Sequence, residues 1–241
     1  MKKSPFISLF LLVSITCNTV SAQYSKLSDF DDKMIHFGFA LSYNNSDYYI
    51  QRSLEHQFAN DSLQSLIVAS KPGFTLGVIS SINFNPNFKL RFAIPSLSFQ
   101  ERDLEYTYLD PSNGATYMLK KAIRPVYLEF PAMFKFRTDR IENWAAYGIT
   151  GIRFGIDMAS DKDVNNSSAS PEDQIVKIKK TDFGFEVGGG FDFFLEYFKF
   201  GIELKLGAGM MNLHLDENTL FDNPIDFLRS KVWTLSLTFE G

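Results

Sequence analysis

Apolar residues recur at every second position in eight separate stretches of this chain, the spacing that puts successive side chains on opposite faces of a β-strand. In the first, Ile35, Phe37, Phe39, Leu41 and Tyr43 alternate with His36, Gly38, Ala40 and Ser42. Phe74, Leu76, Val78 and Ile82 form the second, and Phe88, Leu90, Phe92 and Ile94 the third. Leu128, Phe130, Ala132, Phe134 and Phe136 make the fourth; the fifth runs from Trp144 through Ile152 and Phe154 to Ile156. The sixth is the most regular, with Phe183, Phe185, Val187, Phe191 and Phe193 set against Asp182, Gly184, Glu186, Gly188, Gly190 and Asp192. Phe200 to Ala208 and Trp233 to Phe239 complete the set.

The connections alternate between long and short. Asn44 to Lys71, Glu101 to Ile123 and Ala159 to Lys180 are long and polar, and the seventh connection is long again, whereas Asn83 to Asn87, Arg137 to Asn143 and Phe194 to Phe198 are tight. Long loops on one side and short turns on the other are the habit of outer-membrane barrels. The pattern predicts an all-β, eight-stranded antiparallel up-and-down transmembrane β-barrel with long extracellular loops and short periplasmic turns. An even strand number puts both termini on the periplasmic side.

Which face points inward decides between a membrane barrel and a soluble carrier. The polar faces combine glycine with charge of both signs, and glycine gains nothing on a solvent-exposed strand face. A narrow lumen, by contrast, is filled by small residues beside a few long charged ones. Glu129, Arg153, Asp182, Glu186, Glu203 and Lys205 are therefore expected to form an interior network of paired charges, a plug rather than an open pore. Phe88, Phe136, Trp144, Phe193 and Phe200 fall near the short-turn ends, where an aromatic girdle belongs. The alternative is a soluble periplasmic lipocalin-like ligand carrier with the faces reversed.

The first residues have a separate character. Lys2 and Lys3 precede an apolar run from Phe6 to Ile15, and Val20-Ser21-Ala22 suits cleavage before Gln23. Residues 1–22 thus read as a removed export signal, 23–34 as a short periplasmic segment and 35–241 as the barrel. Cleavage takes away Cys17, the single cysteine, so no disulfide is available. A net charge of -4 lacks the basic footprint of a nucleic-acid binder.

Catalytic chemistry finds little support. An outer-membrane protease or lipase needs a nucleophile, a base and an orienting group in reach. Of the three histidines, His36 lies on a polar strand face, His56 in the first long loop and His214 just past the seventh strand. No metal-ligand spacing appears, and no cofactor or small-molecule substrate is expected. Gly188-Gly189-Gly190 sits within continuing alternation, so strand packing accounts for it better than a phosphate loop.

Several segments together resemble the PorT (SprT) proteins of Bacteroidota. They are Phe30 to Phe39, Pro72 to Gly77, Leu90-Arg91-Phe92, Leu97 to Arg102, Leu128-Glu129-Phe130-Pro131, Lys177 to Asp182, Phe194 to Phe200 and Leu235 to Glu240. The likeness runs in order along nearly the whole mature chain, and departs from the habit of many barrels in ending Glu240-Gly241 rather than on an aromatic residue. It implies an outer-membrane, non-enzymatic accessory or assembly component of the type IX secretion system, which exports cargo and in some members supports gliding motility. Such a protein works by binding other secretion components. Asp31, Asp32 and Glu196, in family-like segments on the periplasmic side, are the expected partner contact. A structural barrel unrelated to secretion is the remaining alternative.

Overall fold

The computed structural model describes residues 27, 30–53, 62–162, 164, 174–217 and 219–241. The export signal, His56 and the Asn165 to Ser170 segment lie outside the described residues. Ten strands are present among the described residues: β1 Ile35–Arg52, β2 Leu63–Asn83, β3 Phe88–Phe99, β4 Arg102–Leu109, β5 Thr116–Ile123, β6 Val126–Arg137, β7 Trp144–Asp157, β8 Thr181–Phe194, β9 Lys199–Gly209 and β10 Ile225–Glu240.

Eight of them form the barrel, in the order β1, β2, β3, β6, β7, β8, β9 and β10, each antiparallel to its neighbours. β10 pairs back onto β1 from Gly38↔Glu240 to Arg52↔Ile225, closing the sheet. These eight contain the eight alternating stretches of the sequence. One irregularity has a visible cause: the β3–β6 register shifts between Phe92 and Ser96. Ile94 and Pro95 both face outward there, a bulge that accommodates a residue with no N–H to give the ladder.

The faces are inverted relative to a soluble protein. Phe37, Phe39, Phe74, Phe134, Phe185, Val187, Leu204 and Leu235 are all exposed, while Lys89, Arg91, Lys135, Arg153, Asp182, Glu203 and Glu240 are buried. Lipid is the only surrounding in which that wall is stable, since an apolar surface of this extent cannot face water. The lipocalin-like reading, which needs the opposite orientation, is thereby excluded. Aromatic side chains crowd the short-turn end as expected: Phe88 and Phe136 stand 4.9 Å apart, Phe193 and Phe200 6.3 Å.

The long connections depart from the sequence reading. β1 continues past Tyr43 to Arg52 and β2 begins at Leu63, so much of the expected Asn44 to Lys71 loop is strand. Asn44 and Ser46 looked like loop residues, yet both are fully buried in the lumen, where a polar side chain is wanted. Asn44 donates to the Thr75 hydroxyl at 3.0 Å and to the Phe99 carbonyl at 3.2 Å. The expected Glu101 to Ile123 loop is the hairpin β4–β5, whose first strand adds to the free upper edge of β2 from Leu63↔Tyr108 to Ser70↔Arg102. Its turn is built by Asp110, which accepts from the Ser112 backbone and hydroxyl, and by Gly114 at φ 68°, a left-handed position suited to glycine.

The extended strands and the hairpin raise the extracellular end above the membrane and give it a core of its own. Tyr48, Leu66, Leu104, Tyr106, Ile178, Leu213, Phe221 and Leu228 pack together there. Tyr106 donates its hydroxyl to the Phe221 carbonyl at 2.8 Å. The barrel is thus capped on the outside by a small water-type core with ordinary inside and outside.

The orientation of the strand faces generates a direct test. Val187→Arg places a charge on the lipid-facing wall and should cost about 2–4 kcal/mol near the midplane, whereas Ser236→Ala in the lumen should be mild. Urea titration of the vesicle-inserted barrel, read by the mobility of the unboiled band, measures both. Equal midpoints for the two variants would contradict the assignment of inside and outside.

Candidate functional site

The lumen collects the side chains that the alternation sends inward. Arg91 comes from β3, Glu129 and Lys135 from β6, Arg153 from β7, Asp182, Glu186 and Asp192 from β8, Lys199, Glu203 and Lys205 from β9 and Glu240 from β10. The six residues expected from sequence are brought together. Arg153 donates to Glu129 at 2.7 Å and to Asp182 at 2.9 Å, and its Nε lies 3.7 Å from Glu186. Lys205 pairs with Glu186 at 3.1 Å and stands 3.8 Å from Glu203.

The network continues toward the periplasm through Arg91, Lys135 and Asp192, which the same alternation also points inward, and through Lys199 and Glu240, which the sequence reading did not place in the lumen. Arg91 bridges Glu203 at 2.7 Å and Glu240 at 3.0 Å. Lys199 pairs with Glu240 at 2.8 Å and Lys135 with Asp192 at 2.7 Å. Tyr147 donates its hydroxyl to Glu203 at 2.8 Å. It fits because Gly190 lies opposite: a Cβ there would meet the Ile202 carbonyl at 2.2 Å and the Tyr147 ring at 2.8 Å. The glycine cluster is therefore explained by strand packing. Lys199 and Glu240 were within reach of the sequence, since each extends its strand's alternation by one inward position.

On the extracellular side Gln100 donates to Glu129 at 3.2 Å and accepts from Arg102 at 2.6 Å. Arg102 is fully buried, stacks 4.2 Å from the Tyr48 ring and donates to its hydroxyl. A ladder of charged and polar partners thus runs from the apolar cap down to the periplasmic mouth. The space left beside it, about 60 Å³ lined by Ser42, Thr75, Ser98, Arg91 and Arg153 among others, has room for a few waters and none for a polypeptide.

The periplasmic mouth is closed by the segment preceding β1. Phe30 stacks on His36 at 3.7 Å and meets Phe194 edge-on at 6.0 Å, with the Lys199 ammonium 4.7 Å from its ring. Asp31 turns into the mouth and pairs with Lys89 at 3.0 Å, Arg137 at 2.9 Å and Arg140 at 2.7 Å. Burial by itself would raise its pKa; hydrogen bonds from Arg137 and the charge of Lys89 outweigh it and hold the carboxyl well below the usual carboxylate range.

Of the three residues expected at the partner contact, Asp31 is held at the mouth by three cations of its own chain. Asp32 and Glu196 are exposed. Of the histidines, His36 lies 2.9 Å from the Asn83 amide under Phe30, and His214 lies 3.7 Å from Asp222 in the cap. Among the described residues no group of three or more His, Cys, Asp or Glu side chains is arranged to hold a metal ion.

Inverted faces, a closed sheet and a lumen filled by ion pairs define a small outer-membrane barrel of the plugged kind. The chain matches the family model described as outer membrane protein beta-barrel domain over residues 21–215, and it belongs to that family, located in the outer membrane. No curated protein matches it. Among solved structures it is similar to OprG from Pseudomonas aeruginosa, 12% identical, covering 86% of this chain and 93% of that one with a TM-score of 0.46. It is also similar to Ail, the attachment invasion locus protein of Yersinia pestis, at 14% identity, 87% and 100% coverage and a TM-score of 0.41. Neisserial surface protein A is 14% identical over 83% of this chain and 95% of that one, with a TM-score of 0.36.

Two tests follow from the ion pairs. Arg153→Gln leaves Glu129, Asp182 and Glu186 facing one another, and should cost about 3–5 kcal/mol, seen as unfolding of the unboiled band at lower temperature; Arg153→Lys should recover part of the loss. The Asp31 latch contributes stability above the unfolded carboxylate value of about 3.9 and loses it only as pH falls through its lower folded value. Hydrogen exchange at residues 30–34 should stay protected down to about pH 4, while Asp31→Asn should expose them at neutral pH. Protection in Asp31→Asn equal to the parent would refute the latch.

Proposed function

We propose that this barrel is a non-enzymatic accessory or assembly component of type IX protein secretion, acting by binding partner proteins at the membrane rather than by conducting cargo. The observation that carries the reading is the filled lumen. Ion pairs cross it, an apolar cap covers one mouth and the Phe30-Asp31 segment occupies the other, so a polypeptide must cross the membrane elsewhere. A barrel of this kind serves a secretion machine by holding or assembling its other parts. The link to type IX secretion rests on the resemblance of the Leu128 to Pro131, Phe194 to Phe200 and neighbouring segments to PorT proteins.

The periplasmic rim is the surface that best suits such binding. The turn after β8 presents Leu195, Glu196 and Tyr197 outward, Tyr197 being 82% exposed, and Asp32 stands exposed beside the latch. An acidic and aromatic rim fits a partner offering basic and apolar groups from the periplasm.

The decisive experiment compares an Asp32→Ala/Glu196→Ala strain with one lacking residues 165–170, at matched levels of folded barrel. Cargo secretion and the proteins co-purifying in mild detergent should both be lost in the rim variant and kept in the loop deletion. Full secretion in the rim variant with loss in the deletion would move the contact to the extracellular side. Normal secretion in a strain without the barrel would remove the protein from the pathway.

A further inference from the structure

The outward face of β10 changes character at one point. From the periplasmic end it reads Phe239, Leu237, Leu235 and Trp233, apolar residues of the lipid-facing wall, and then Lys231 and Arg229, both exposed. The two cations share a face two residues apart, so their Cα atoms are about 7 Å from each other at the level where the apolar wall ends toward the extracellular side.

Neither cation is drawn into an ion pair among the described residues. Half-buried Lys71 and exposed Lys120 and Arg124, three of the cations near this end, pair with Asp103, Glu105 and Glu101. Among the described residues, Arg229 and Lys231 have no ion-pair partner. Asp47 lies opposite Lys231 in the sheet without an ion pair between them; one of its carboxylate oxygens accepts from the Tyr48 backbone N–H at 2.8 Å. Arg229 lies over the Phe227 ring at 4.2 Å, next to exposed Tyr49, which fixes its guanidinium at the wall.

Beside the cations the wall is indented. β9 stops at Gly209 while β10 runs on, so their pairing ends at Lys231↔Ala208. After Ile202, Leu204 and Leu206, the outward row of β9 falls to a methyl group at Ala208. The result is a depression with Phe185 and Met210 on one side, Tyr49, Arg229 and Lys231 on the other, and Ala208 with Gly209 in its floor.

We propose that this depression binds a phosphate-bearing lipid of the outer leaflet, its phosphate held by Arg229 and Lys231 and the start of an acyl chain lying over Ala208. Charge complementarity selects an anion, and Arg with Lys in one plane matches a phosphate group. The apolar floor, continuous with the lipid-facing wall below it, selects a lipid over a free ion. An unpaired cation is tolerated at that depth because the interface, unlike the midplane, supplies polar headgroups.

Trp233 makes the site observable. The chain has two tryptophans, and Trp144 stands at the opposite, periplasmic end of β7, so Trp144→Phe leaves a single reporter one position inward of Lys231 on the same face. The full chain in detergent is titrated with bisphosphorylated lipid A, with its dephosphorylated form and with inorganic phosphate. Bisphosphorylated lipid A should change Trp233 emission saturably, and Arg229→Gln/Lys231→Gln should weaken it by roughly tenfold or more. Arg229→Lys/Lys231→Arg should keep the response. An unchanged curve for the Gln pair, an equal response to dephosphorylated lipid A, or inorganic phosphate binding as tightly as the lipid would each overturn the proposal.

Discussion

A strand inside a bilayer has no water to satisfy its N–H and C=O groups, so a sheet that crosses must have no edge. Everything else in this molecule depends on the seam where β10 returns to β1. The seam is long, from Gly38↔Glu240 to Arg52↔Ile225, and it brings the last residues of the chain against the first strand. Closure sets a narrow interior, and alternation of the pleat then sends one residue in two into it.

That interior imposes the second constraint. Charged side chains removed from water are tolerable only when paired, and eight strands bring opposite charges close enough to do so. Arg91 reaches both Glu203 and Glu240, and Arg153 reaches Glu129 and Asp182, without long excursions of the backbone. The pairing fills the lumen and leaves space for little beyond water. Closing the mouths needs different chemistry at each end, because the surroundings differ. Outside the membrane on the extracellular side, water drives apolar burial, and Tyr106, Leu213 and Phe221 form a core in the ordinary sense. At the periplasmic mouth, where Lys89, Arg137 and Arg140 converge, a single carboxylate with an aromatic ring completes the seal.

With the lumen closed, the surfaces left for interaction are the rims and the wall. The periplasmic rim carries exposed Asp32, Glu196 and Tyr197; the wall carries two cations where its apolar band ends. Each belongs to a different surrounding, aqueous periplasm in the first case and headgroups in the second, and the two need not serve the same partner.

The period-2 rhythm was legible in the sequence because it is local: Phe183 to Phe193 declares its two faces within eleven residues, and glycine with paired charge on the polar face declares which is inward. The same rhythm identified Glu129, Arg153, Asp182, Glu186, Glu203 and Lys205 as lumen residues. It did not reveal β4 and β5, because a hairpin outside the membrane has no lipid-facing side and its polar, turn-rich stretch looks like a loop. Nor did it place Asp31, which sits in no strand and meets Arg137 only once the barrel has closed. Lys199 and Glu240 fell just outside the strands read from sequence, although the alternation of those strands continued through them. Local alternation determined the strands and their faces; which charges meet, such as Arg91 with a carboxylate 149 residues away, was decided by closure of the sheet, because pairing across a lumen depends on where strands lie around the ring and no spacing along the chain encodes that.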